Sequence, residues 1–304
     1  MKTNLNKKRF YILGFQKSGT STIHKWLEQI DNINLPANKE THYFSNDKYY
    51  SNGSKWYEKQ FNSSNENQSH IGEVDPSYIL KKEYMQRIRE YSSDNLKFIF
   101  ILRKPLDRSY SQYLMSKLRG YENLPFAQAL NKENERLLND DNNFSLINHS
   151  YILRSNYKKH IESFRTVFPK SDVLFLKFDD ILKANSRKKM LIKIVDFLEV
   201  QCNIEHINID LEENLASEPR SKVFQNILYK DYLLKKMFKR LFTDRVAAKI
   251  KNILSSFNKK TINNKKTFNM MNNMNKEYLK WNNDIVHETE KIANLNLSNW
   301  YYDI

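Results

Sequence analysis

The sequence has a single cysteine, Cys202, in 304 residues. One thiol excludes an intramolecular disulfide framework and a cysteine-built zinc site. The seven histidines show no HExxH-like spacing, so no metal centre is expected. Long hydrophobic runs are also missing: nothing approaches the roughly 18 apolar residues that span a bilayer. The basic stretch Met1 to Arg9 is followed by an apolar run, Phe10 to Phe15, that gives way at once to Gln16-Lys17-Ser18. That run is too short for a signal-peptide core, and no small-residue cleavage site follows. A reduced, cytoplasmic placement is the expectation. Glycine occurs only five times, so each glycine in a motif carries weight.

Acidic residues are the minority, 35 against 50 Lys and Arg, for a net charge of +15. Aromatic residues make up 13%, which argues against disorder. The length suits one large α/β domain or two small ones, and a single domain over 1–304 is expected.

The charge is unevenly placed. Residues 220–266 hold fourteen Lys or Arg against two acidic residues, Asp231 and Asp244. Phe224, Ile227, Leu228, Leu234, Phe238, Leu241 and Phe242 recur there at helical spacing. Such a basic amphipathic segment is the outer face of a helical hairpin, a contact for anionic lipid or glycan, or a nucleic-acid binder; charge alone does not choose.

Along the chain, Lys8 to Phe15, Lys97 to Leu102 and Val173 to Lys177 are short apolar runs with the character of buried strands. Ile23, Trp26, Leu27 and Ile30 form one helical face, a helix is expected to start near Asp107, and Ile152 to Phe168 is helical in pattern. Asn62 to Gln68 and Asn258 to Lys266 have the composition of exposed loops. Strands alternating with helices predict a P-loop-like three-layer α/β domain, with a central, mostly parallel sheet flanked by helices and a basic helical segment beyond Arg220.

The most informative stretch is Gly14-Phe15-Gln16-Lys17-Ser18-Gly19-Thr20-Ser21-Thr22, between a predicted strand and a predicted helix. There, backbone N–H groups and the helix dipole converge on a spot that favours an anion. Two of the five glycines lie in it, with hydroxyls from Ser18, Thr20 and Ser21 and a cation at Lys17. A Walker A loop places Lys-Ser/Thr directly after its second glycine. Here Thr20-Ser21 follow Gly19, so the pattern is not that of an ATP loop. The second element, Arg103-Lys104-Pro105-Leu106-Asp107-Arg108-Ser109-Tyr110-Ser111, follows a strand end, where open α/β sheets bind ligands. An arginine fork with a hydroxyl suits a terminal phosphate.

Together these elements resemble the two donor-binding motifs of the sulfotransferase superfamily, which uses 3′-phosphoadenosine 5′-phosphosulfate (PAPS). Glu40-Thr41-His42-Tyr43-Phe44 and Gly72-Glu73-Val74-Asp75-Pro76-Ser77-Tyr78 are similar to segments of its carbohydrate, heparan-type branch, and Glu218 to Lys222 and Leu295 to Trp300 to segments of bacterial members. Two positions depart from that pattern: Val74 stands where a lysine is common, and Ser45 where an acidic residue is.

The resemblance implies sulfuryl transfer from PAPS to a hydroxyl of a glycan or glycolipid, with no metal. It implies that Lys17, Ser18, Gly19, Thr20 and Ser21 hold the 5′-phosphosulfate and that Arg103 and Ser111 hold the 3′-phosphate. Arg220 and Lys222 would close over the nucleotide. Glu40 would serve as general base, with His42 orienting the acceptor or replacing it as base if the segment is extended. No nucleic-acid partner is expected, whereas peripheral contact with an anionic membrane through 220–266 is. The alternatives are an ATP-dependent P-loop kinase and a non-catalytic basic binder of membrane or nucleic acid.

Overall fold

In the computed structural model the described residues are 7–61, 68–92, 95–140, 142–210, 217–219, 259–261 and 274–304. The chain divides into two compact units, one formed by residues up to 104, 156–214 and 283–301, the other by 105–155, 215–282 and 302–304.

The first unit is built on a five-stranded, all-parallel sheet. Its strands are β1 (Lys8–Gly14), β2 (Ile33–Asn34), β3 (His70–Val74), β4 (Lys97–Leu102) and β5 (Asp172–Lys177), in the order β2-β3-β1-β4-β5. The three strands expected from apolar runs form at the expected places. Strand β3 is the one the pattern hid: His70, Gly72 and Glu73 interrupt its apolar residues, yet all five positions are buried. Their polar groups are satisfied internally, His70 Nε2 against the Leu198 carbonyl and Glu73 by hydroxyls discussed below.

Helices cover both faces, as parallel strands require. On one, α1 (Thr20–Leu27) and a later helix (Ala184–Leu198) pack Ile23, Trp26, Leu27, Leu191 and Ile194 against Phe10, Ile12, Ile99 and Ile101. On the other, helix Tyr157–Val167 sets Phe164 against Phe98 and Phe100, with ring centroids 4.8 and 5.2 Å apart. Gly72 lets β3 pass Phe10: a Cβ there would lie 2.0 Å from the ring.

The second unit begins with helix Pro105–Leu118. Its start lies two residues before the expected Asp107 because proline suits the first helical position, where its missing N–H costs nothing. Leu106, Tyr110, Tyr113 and Leu114 pack with Phe126, Leu130, Tyr151, Tyr278 and Leu279. Residues 259–261, expected within a loop, form a strand antiparallel to 217–219. The rest of the basic segment 220–266, including Arg220 and Lys222, lies outside the described residues. Among the described residues, no helix is long and apolar enough to cross a membrane.

Candidate functional site

The anion loop lies at the carboxyl end of β1, the central strand. Phe15 N–H donates to the Ile101 carbonyl (2.8 Å), tying the loop to β4, and Ser18 N–H closes a turn onto the Phe15 carbonyl (3.1 Å). Lys17 and Gly19 have φ of 70° and 87°, the left-handed region that glycine tolerates best. Gly19 is needed for space as well, since a Cβ would meet Ile181 Cδ1 at 2.4 Å. Gly19 also caps α1 without a side-chain hydrogen bond, and no acidic residue occupies the first helical turn. The positive helix end therefore keeps its capacity for an external anion.

Ser18 Oγ is buried with no hydrogen-bond partner among the described residues, as a hydroxyl awaiting a ligand oxygen would be. Thr20 is buried and Ser21 half-buried beside it. An unpartnered buried hydroxyl beside an unneutralised helix start fits an anionic oxygen such as that of a phosphate or sulfate group.

Arg103, half-buried, donates from Nη1 to the Lys17 carbonyl at 2.9 Å and lies over the Phe178 ring at 4.5 Å. Its own carbonyl accepts from Tyr157 OH at 2.6 Å. Ser111 belongs to the second unit and is buried in its first helix. Arg108 of that unit spends its fork internally, on Ser155 Oγ, Gln112 Oε1 and the Tyr151 carbonyl.

A carboxylate cluster lies at the end of the neighbouring strand. Ile12 of β1 is in register with Val74 of β3, and Asp75 N–H donates to the Ile12 carbonyl at 3.2 Å. Fully buried Asp75 accepts the backbone N–H of His42 (3.0 Å) through Oδ2 and that of Ser77 (2.9 Å) through Oδ1. Its Oδ2 also lies 2.9 Å from His42 Nδ1. His42 Nε2 is 3.7 Å from Glu40 Oε2, while Lys39 Nζ pairs with Glu40 Oε1.

Glu40 and His42 thus come together, but not through an extended segment: His42 has φ 52°, and Asp75 turns its ring back toward Glu40. Burial lowers the His42 pKa, but the hydrogen bond to Asp75 and the charges of Asp75, Glu40 and Glu73 reverse this, pushing it up to about 9. The direction of that shift favours the doubly protonated ring.

Beneath lies Glu73, fully buried, accepting from Thr41 N–H (3.2 Å), Thr41 Oγ1 (2.5 Å), Tyr57 OH (2.6 Å) and Tyr78 OH (2.9 Å). Burial and the nearby Asp75 raise its pKa to about 7 against the lowering effect of those bonds. Tyr43 and Phe44 anchor the same loop, stacked on Tyr57 (4.7 Å) and edge-on to Tyr78 (5.3 Å). Sequence reasoning gave Asp75 and Glu73 no role. The one available signal was a pair of carboxylates two residues apart at a strand end.

A model of the sulfotransferase domain matches residues 7–294. The chain belongs to the sulfotransferase family. A crystal structure of a sulfotransferase from Alicyclobacillus acidocaldarius superposes over 97% of this chain and 98% of its own, with TM-score 0.64 and 19% identity, so the fold is shared. The membrane-associated sulfotransferase kil1 of Dictyostelium discoideum is 29% identical over 90% of this sulfotransferase, and heparan sulfate glucosamine 3-O-sulfotransferase 5 of mouse is 31% identical over 52%. This chain spans 66% of the length of the former and 44% of the latter. Sulfotransferases of this family use PAPS as donor.

Proposed function

We propose that this sulfotransferase moves a sulfuryl group from PAPS to a hydroxyl of a glycan or glycolipid. The observation that carries the reading is the placement of the Lys17–Thr20 loop and the Glu40–His42–Asp75 cluster at the carboxyl ends of adjacent parallel strands, β1 and β3. Neighbouring strands lie about 4.8 Å apart, so an anion cradle and a proton acceptor share one edge of the sheet.

The donor supplies an activated sulfur whose bond to the 5′-phosphate oxygen breaks as the acceptor oxygen bonds to it. Such loose, in-line transfers depend mainly on positioning and electrostatics. Lys17 and the amides of Gly19 and Thr20 hold the leaving phosphate, and the Ser18 hydroxyl gains the partner it lacks. Glu40 takes the acceptor proton. Arg103 contributes a cation toward the 3′-phosphate, and Ser111 keeps the same assignment on its sequence motif alone. Arg220 and Lys222 remain proposed on the sequence resemblance.

A saccharide acceptor is supported by similarity to a heparan sulfate enzyme, and peripheral membrane contact through 220–266 by similarity to a membrane-associated one. Calorimetry with 3′-phosphoadenosine 5′-phosphate (PAP) and AMP tests the donor: PAP binds more tightly, and equal affinities overturn the reading. Glu40→Gln retains PAP binding and loses transfer of labelled sulfate to glycan acceptors.

A further inference from the structure

We propose that Asp75 is a positioning residue that holds His42 as an imidazolium facing Glu40, so that His42 serves as a fixed cation beside the base and is not itself the base. The inference deepens the sulfotransferase reading of this site and rests on it for the catalytic consequence.

The argument starts from Asp75. A buried carboxylate needs hydrogen bonds and a counter-charge. Its oxygens receive two backbone N–H groups and the His42 ring. Its other charged neighbour on β3 is Glu73, two residues back and of the same sign. His42 is the only cation paired with Asp75 among the described residues.

Asp75 Oδ2 takes both the backbone N–H and the Nδ1–H of His42. This double grip keeps a non-glycine residue at φ 52°, a conformation that costs about 1–2 kcal/mol and persists only when its surroundings over-determine it.

With Nδ1–H committed to Asp75, Nε2–H points to the other side, where Glu40 Oε2 lies 3.7 Å away. The charged groups around the ring are Glu40 on its own loop, with Lys39 paired to that carboxylate, and Asp75 and Glu73 from β3. One ring nitrogen of His42 and one carboxylate oxygen each of Glu40 and Asp75 lie within 4.8 Å of one another, and the imidazolium is the positive member between two carboxylates. A ring that already carries its second proton accepts none from an acceptor hydroxyl. Val74, buried and apolar, brings no cation to this strand end; the cations beside Glu40 are Lys39, paired with its Oε1, and the His42 ring.

The test is titration of the His42 ring by NMR in the nucleotide-free full chain, alongside the pH profile of kcat. The parent ring titrates about two units above an ordinary histidine, and in Asp75→Asn it falls by at least one unit. The alkaline limb of kcat moves down with it, while PAP affinity stays within about threefold. A parent ring titrating at the ordinary value, or one unmoved by Asp75→Asn, overturns the proposal.

His42→Gln leaves Asp75 in place and covers the case in which Asp75→Asn does not fold. It is expected to abolish the alkaline limb and lower kcat by at least about tenfold with PAP affinity retained; an unchanged limb overturns the assignment. The NMR titration judges the Asp75–His42 pair even if the chain proves to transfer no sulfate, so the two failures are distinguishable.

Discussion

Arg103 Nη1 donates to the carbonyl of Lys17 across 2.9 Å, so the residue that closes β4 also fixes the backbone of the loop that closes β1. A hydrogen bond to a charged donor contributes about 1.5–3 kcal/mol. Arg103→Ala is therefore expected to weaken PAP binding about tenfold or more, partly by releasing the loop. Arg103→Lys keeps a charge but loses the planar fork, and its affinity should fall between the two. Calorimetry on the three proteins checks the order.

Gly19→Ala places a methyl 2.4 Å from Ile181 Cδ1 at φ 87°. Overpacking and left-handed strain together cost about 2–4 kcal/mol. The variant should show a lower Tm and weakened PAP binding. Gly72→Ala, with its methyl 2.0 Å from the Phe10 ring, should destabilise by at least as much. Adding Phe10→Leu should recover part of that loss in a urea melt, since it withdraws the ring.

Glu73 supplies a pH dependence of defined sign. Its folded pKa, about 7, lies above the ordinary carboxylate value of 4.5, so the folded state binds this proton more tightly than the unfolded one. Its contribution is fully present below 4.5 and is lost as pH rises through 7. The urea midpoint of the parent should carry a component that falls between pH 5 and 8. In Glu73→Gln that component should vanish, and a variant whose slope matches the parent would refute the assignment.

Within the second unit, Arg108 is fully buried and bonded to Ser155, Gln112 and Tyr151. Arg108→Met removes every one of those donors from a buried site; the Tyr151 carbonyl and Ser155 keep Ser109 as a partner, and Gln112 Oε1 loses its arginine donor. A loss of about 3 kcal/mol is expected, measurable as a drop in urea midpoint at constant m-value.

The parts of the fold legible in the sequence were those with an uninterrupted apolar signal. Lys97 to Leu102 coincides with β4, and Lys8 to Phe15 exceeds β1 by one residue. Strand β3 was hidden because the partners of His70 and Glu73, such as the Leu198 carbonyl and Tyr57 OH, are distant in sequence. No local pattern announces them.

The anion loop was legible because its chemistry is local: a glycine at a forced φ, hydroxyls and a helix start. Asp75 was not, because its role exists only when the strand end meets a loop more than thirty residues earlier. The same meeting gives His42 a carboxylate partner that no local pattern announces.

The register of β1 against β3 carries a consequence for how acceptor choice can diversify. The ladder from Lys8–His70 to Ile12–Val74 fixes the spacing between the end of β1, which leads into the Lys17 loop, and Asp75, which holds the His42 loop. On the proposed roles, residues further from these two strand ends can change with the acceptor while that spacing stays fixed, much as a lathe keeps its centres while the tool is exchanged.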